Sequence, residues 1–284
     1  MTSTDAKAIP VERAFVPTKS GRIHIATAGQ GFPVLLLHQT PRSWDEYRDV
    51  LPILGQWYRA IAMDTLGFGD SQRLPMNENS IERWAVGAYD LLDALGIQRA
   101  AGVGHHTGAV VALEMAASHP ERVAALVLSA CPYIDAPRRA AHDGKRVIDD
   151  VERKPDGQHL TELWQRRQPF YPKDDTDLLE RFMVDALKAG ELAVGGHKAC
   201  NAYAMETRFS RITSPTLVVA PTDDPHAYPF APPVARAIAG SRLLEIKGGM
   251  VPLPDQMPEV FARTVMEFLG GIKFGNVAAA AKTS

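Results

Sequence analysis

The chain is short of cysteine. Its 284 residues hold two, Cys131 and Cys200, too few for a disulfide framework and not clustered as zinc ligands. That usage fits a reducing compartment, so a cytoplasmic protein is expected. Long apolar runs are missing too: none would cross a bilayer, and residues 1–7 lack the apolar core of a secretion signal. Charge of one sign is absent, because 31 Lys and Arg against 33 Asp and Glu leave a formal charge of −2. Neither nucleic acid nor an anionic membrane is therefore an expected partner. Histidine runs out early, with none after His226. What is present is the composition of a soluble globule, 45% hydrophobic and 23% charged, long enough for one large α/β domain or such a domain with an insertion.

Short continuous apolar runs at 34–38, 59–63, 100–103, 124–129 and 216–220 read as strands buried on both faces. Residues 11–27 read as two further strands joined at 19–21, and 243–246 as another. Helical patterns lie between them, near 44–54, at 80–95 with Ser80 as N-cap, from Ala109 onward, and at 257–269. This alternation predicts a mostly parallel sheet with right-handed crossovers. Residues 132–212 break the rhythm: they are charged, helical in period and without a core-strand run. The expected organisation is a core of 1–131 and 213–274, a helical cap over 132–212, and a flexible tail at 275–284.

The most informative stretch is Gly104-His105-His106-Thr107-Gly108. Its frame is that of a nucleophile elbow, in which a strand turns sharply into a helix and lifts one side chain above the sheet edge. His106 stands where Ser is usual. Two other stretches share this context. Residues 38–44, from His38 to Trp44, resemble a His-Gly-x-Pro-x-Ser-Trp loop, and 64–71, from Asp64 to Ser71, resemble an Asp-x-x-Gly-x-Gly-x-Ser turn. Together they make the chain similar to the α/β-hydrolase superfamily, and within it to the branch of epoxide hydrolases, dehalogenases and C–C-bond hydrolases. That resemblance implies an α/β-hydrolase fold, an eight-stranded mostly parallel sheet flanked by helices, with the cap inserted before the seventh strand.

The chain departs from that pattern at three places. His106 replaces the nucleophile. The loop after the last strand, 247–252, holds Met250 and Val251 where the family has its catalytic histidine. Gln39 replaces the glycine of the oxyanion loop. Asp224 matches the family's acid position, with Asp223 beside it. A Ser-His-Asp mechanism is therefore excluded, and so is an ester intermediate on an elbow carboxylate.

A histidine at a helix N-terminus is expected to stay neutral, because the unpaired N–H groups there disfavour positive charge. Neutral imidazole serves as a general base or a nucleophile. His106 and Asp224 are accordingly the expected catalytic pair. Thr107, through its backbone N–H, and Gln39, through its backbone or side-chain amide, are the expected oxyanion donors, with His38 and His226 as positioning candidates. His105 is expected to pack in the core and Met250 to fill space. Trp164, Phe170 and Tyr203 are expected to line an apolar cap pocket, while Arg138, Arg139, Arg166 and Arg167 could hold a carboxylate. No helical metal-ligand spacing occurs, so neither metal nor cofactor is expected. The expected partner is a small molecule; homo-oligomerisation is left open. The leading expectation is hydrolysis of a small ester, lactone or β-diketone. The alternatives are a lyase, decarboxylase, isomerase or cyclase on the same fold, or a degenerate binding protein.

Overall fold

The computed structural model describes residues 9–274, so the tail expected at 275–284 lies outside the described residues. Eight strands form one sheet: β1 Glu12–Thr18, β2 Gly21–Ala28, β3 Pro33–Leu37, β4 Arg59–Met63, β5 Ala100–His105, β6 Val123–Ser129, β7 Thr216–Pro221 and β8 Arg242–Ile246. Their spatial order is β1-β2-β4-β3-β5-β6-β7-β8. The pairings β1–β2 and β2–β4 are antiparallel and all others parallel.

Strand side chains alternate between faces, and here both faces are covered. Leu35 and Leu37 of β3 join one apolar core, while Val34 and Leu36 join the other. The helices follow in chain order: α1 Leu51–Leu54, α2 Ile81–Ala94, α3 Thr107–Ser118, α4 Ala136–His142, α5 Gln158–Arg167, α6 Thr176–Ala189, α7 Leu192–Ala202, α8 Ala231–Ala237, α9 Leu253–Gln256 and α10 Pro258–Gly270. Helices α2, α3 and α8 bury Trp84, Leu113 and Val234 in the first core. Helices α1 and α10 bury Leu51, Phe261 and Val265 in the second.

The helix expected over 44–54 is a 3₁₀ turn at Trp44–Tyr47 followed by the single turn α1. Pro52 has no N–H to give the carbonyl four residues earlier, so one continuous helix would leave that carbonyl unpaired. Buried charge acts in the same place: Arg42 is fully buried and contacts Asp45, Asp185 and Asp255. Burial alone would lower the Arg42 pKa, but Asp255 and Asp185 override it and hold the guanidinium charged. Helix α8, which begins at two prolines, was not anticipated; proline is tolerated in a first turn.

Between β6 and β7 lie α4 to α7. These helices have an apolar cluster of their own, formed by Leu163, Tyr171, Leu178, Leu179, Phe182 and Ala186. Asp185 on α6 accepts hydrogen bonds from Arg42 Nε at 2.9 Å and Ser43 Oγ at 2.9 Å, which ties the inserted helices to the loop after β3.

Candidate active site

β5 ends at His105 and α3 begins at Thr107, so His106 makes the turn alone. Its backbone sits at φ 47°, ψ −114°, a conformation that L-residues seldom adopt and that surrounding structure must enforce. Two glycines enforce it. A Cβ on Gly108 would meet the Leu37 carbonyl oxygen at 1.9 Å, and one on Gly104 would meet the Gly108 oxygen at 2.2 Å. Strand and helix approach this closely only without side chains. The His106 N–H donates to Ser129 O on β6 at 3.0 Å, which fixes the third side of the turn.

His106 Nε2 lies 2.7 Å from Asp224 Oδ2. Asp224 follows β7 and is fully buried; its Oδ1 accepts the backbone N–H groups of His226 at 2.9 Å and Ala227 at 3.1 Å. Burial by itself would raise the carboxyl pKa. His106 beside it and the His226 N–H outweigh that, and Asp224 is held below the ordinary carboxylate range.

The other histidines divide cleanly. His105 is fully buried, with Nδ1 3.0 Å from Ser129 Oγ and Nε2 2.7 Å from the Val251 carbonyl oxygen. A carbonyl only accepts, so Nε2 carries the proton and Nδ1 accepts from the serine. Burial, with His106 as neighbour, pushes its pKa down to about 3. His105 therefore latches the loop where the family's catalytic histidine would stand. His38 is equally engaged: Nε2 accepts from Thr65 N at 3.0 Å, which leaves Nδ1–H to donate to Gln39 O at 2.8 Å. It orders the loop and does not line the site cavity. His226 does line it, with its ring 4.4 Å from Phe170 of the inserted segment.

Gln39 also lines the cavity, but its donors point elsewhere. Its backbone N–H donates to Glu46 Oε2 at 2.9 Å and its side-chain nitrogen to Oε1 at 2.6 Å. Burial pushes the Glu46 carboxyl up to about 8. The backbone donor expected from Gln39 is therefore already occupied. Thr107, also a lining residue, is the first residue of α3, where an N–H has no intrahelical acceptor. Nothing in the sequence marks Glu46 as the partner; it is one acid among several in a polar loop.

The cavity has a volume of about 250 Å³ and lies between the sheet edge and the inserted helices. His106, Thr107, Gln39, Pro132, His226 and Val251 form one side, and Arg138, Lys145, Arg146, Arg167, His197 and Asn201 contribute to the other. Larger hollows of about 640, 680 and 770 Å³ occur on the inserted helices and beside them, and neither His106 nor Asp224 lines any of these. The apolar pocket expected from Trp164, Phe170 and Tyr203 is corrected: none of the three lines this cavity. Tyr203 turns its hydroxyl to Glu114 Oε2 at 2.5 Å, Phe170 packs on His226, and Trp164 packs on the apolar cluster of the inserted helices. Of the four arginines, Arg138 and Arg167 line the cavity, while Arg139 pairs with Glu206 and Arg166 with Glu162. Lys145, Arg146, His197 and Asn201 are lining residues that sequence reasoning did not single out.

Among the described residues, the His, Asp and Glu side chains close enough to share a cation are His24, Asp64 and Asp70. None lines the cavity, and Asp70 is already paired with Arg13 and Lys188.

Known proteins repeat this frame. A family model described as the alpha/beta hydrolase fold matches residues 33–249. The chain is 36% identical over 107 residues to the soluble epoxide hydrolase of Corynebacterium sp. (strain C12), a match covering 38% of this chain and 37% of that protein. It is 37% identical over 119 residues to the 2-hydroxymuconate semialdehyde hydrolase of Pseudomonas sp. (strain CF600), covering 41% of this chain and 42% of that one. These matches thus span less than half the length of the curated relatives. Among solved structures, the enol-lactonase from Burkholderia xenovorans LB400 superposes with a TM-score of 0.76 at 20% identity, over 90% of this chain and 100% of the other. With the family model covering β3 to the loop after β8, and the elbow, acid turn and sheet order all in place, the chain belongs to the α/β-hydrolase fold family.

Proposed function

We propose that the protein hydrolyses a small carbonyl compound, an ester, lactone or β-diketone, with His106 as general base and Asp224 as its orienting partner. The observation that carries this is the 2.7 Å contact between an elbow imidazole lining a cavity and a buried carboxylate. With Nε2 turned to Asp224, Nδ1 is the basic nitrogen. It takes a proton from water as the oxygen attacks the carbonyl carbon, then returns it to the leaving oxygen or carbon. The Thr107 N–H is the donor available to the developing oxyanion. Attack by His106 itself is less favourable: the resulting acyl-imidazole would leave the ring unable to activate the water that must release it. The hydrolase names of the relatives support water as the second substrate.

Decarboxylation of a β-keto acid is the second reading. Loss of CO₂ leaves an enolate, which the Thr107 N–H would hold and a protonated His106 would reprotonate, and the cationic cavity wall suits an acidic substrate. Turnover of a panel of activated esters, lactones and β-diketones, compared between the natural chain and His106→Ala, tests the first reading. Release of CO₂ from β-keto acids without any hydrolysis would replace it with the second. Serine-directed phosphonates should leave the protein unlabelled.

A further inference from the structure

We infer that the substrate carries a carboxylate and that Arg138 grips it. This rests on the cavity beside His106 being the reaction site. Among the described residues, Arg138, Lys145, Arg146 and Arg167 line that cavity and no Asp or Glu does. Two of these four cations are matched from behind, and Lys145 is solvent-exposed. Arg167 pairs with Asp149 at 2.5 Å, and Arg146 lies 3.4 Å from Asp150.

Arg138 is different. No carboxylate lies within ion-pair distance of it among the described residues, and its Nε is buried without a hydrogen-bond partner. Its neighbour Arg139 makes two bonds to Glu206, at 2.6 and 2.5 Å, so an acid was within the chain's means one residue away. A buried donor left unmade is costly unless something else accepts from it.

The arginine is also held ready. It stands in the first turn of α4, where its backbone N–H donates to the Asp135 carboxylate at 2.9 Å. Its guanidinium lies over the Phe230 ring, 5.1 Å from the centroid, which restricts the plane of the fork. A planar fork with free donors matches a carboxylate in bidentate fashion. The cavity, at about 250 Å³, is small, below the roughly 300–1,000 Å³ of pockets for drug-sized ligands. The substrate class is therefore a short acid bearing a second, reactive carbonyl: a half-ester, a lactone acid or a keto acid.

Two measurements test this and separate it from the hydrolytic reading. In the first, glutarate and its neutral diamide are titrated calorimetrically into His106→Ala, which needs no turnover. Glutarate should bind and the diamide should not. Adding Arg138→Ala should weaken glutarate roughly tenfold or more, as expected for loss of a charge-assisted bidentate contact, and Arg138→Lys should restore part of it. In the second, the ratio of kcat/KM for mono-p-nitrophenyl glutarate over p-nitrophenyl acetate is compared between the natural chain and Arg138→Ala. The ratio should fall about tenfold in the variant, with the thermal midpoint confirming that it is folded. Arg138-dependent glutarate binding without any ester turnover would keep the carboxylate site and defeat the hydrolase. His106-dependent ester turnover with an unchanged ratio, and glutarate binding indifferent to Arg138, would overturn the carboxylate site alone.

Discussion

The His106 imidazole reaches the Asp224 carboxylate directly, at 2.7 Å, with 16% of the first side chain and none of the second exposed to solvent. One ring thus spans a gap that a serine triad bridges with two side chains.

Replacing His106 by Ala should lower kcat by about 10²–10⁴, the range for loss of a general base. His106→Ser should fare no better. It restores the usual elbow residue, but the ring that contacted Asp224 is then gone and the adjacent His105 is committed to Ser129 and Val251. Steady-state hydrolysis of an activated ester checks both. Serine-variant activity equal to the natural chain would show that His106 is not the base.

The turn itself predicts a stability order. At φ 47°, ψ −114°, glycine is less strained than alanine, and both lose the Asp224 contact alike. His106→Gly should therefore be more stable than His106→Ala by about 1 kcal/mol, read from denaturant midpoints. Gly108→Ala should be far worse than either, by about 3 kcal/mol or more, because its Cβ would sit 1.9 Å from the Leu37 oxygen.

Acid should expose the dyad. Asp224 has a folded-state pKa below its unfolded value near ~3.9, first against burial, through His106 and the His226 N–H. The folded state thus binds that proton less readily. Its stabilisation is present above pH ~4 and is lost as pH falls through the folded value. Calorimetric midpoints of the natural chain should drop on that side, and Asp224→Asn should flatten the drop while lying about 1–3 kcal/mol lower near pH 7. Parallel pH curves would disprove the assignment.

Glu46 predicts the opposite slope. Burial pushes its folded-state pKa up to about 8. Between its unfolded value near ~4.3 and that point, the folded state holds the extra proton, so stability falls as pH rises across the interval. Glu46→Gln removes this contribution and should lose less stability than the natural chain between pH 5 and 8.

Arg42→Met should destabilise by about 3–5 kcal/mol, because it leaves Asp185 buried without its cation and Asp255 with Arg181 alone. Adding Asp185→Asn and Asp255→Asn should recover part of the loss, which urea titrations would measure.

Gly104, His106 and Gly108 could be named from their spacing along the chain, and Asp224 from its resemblance to the family's acid position. The structure brings His106 and Asp224 together. Other relations depended on pairings between distant residues. Gln39 faces Glu46 and Tyr203 faces Glu114, and either tyrosine or glutamine read singly suggests a ligand contact. The aromatic content of 132–212 suggested a pocket lined by Trp164 and Phe170, but composition does not say which cavity a ring faces. Arg138 was one of four arginines until the acids beside the other three were located. An unpaired charge is a property of the whole ensemble of charges, so no local motif announces it.

The clasp between His106 and Asp224 joins the ends of β5 and β7 across β6, which lies between them in the sheet. In a triad, the working distance depends on a mobile loop beyond the last strand as well. Here that loop, latched by His105 at Val251, stands outside the reacting pair. Thermal wandering of β8 or its following turn would therefore leave the base aligned, whereas a change in sheet twist between β5 and β7 would detune it. Catalytic alignment has become a property of the sheet's stiffness.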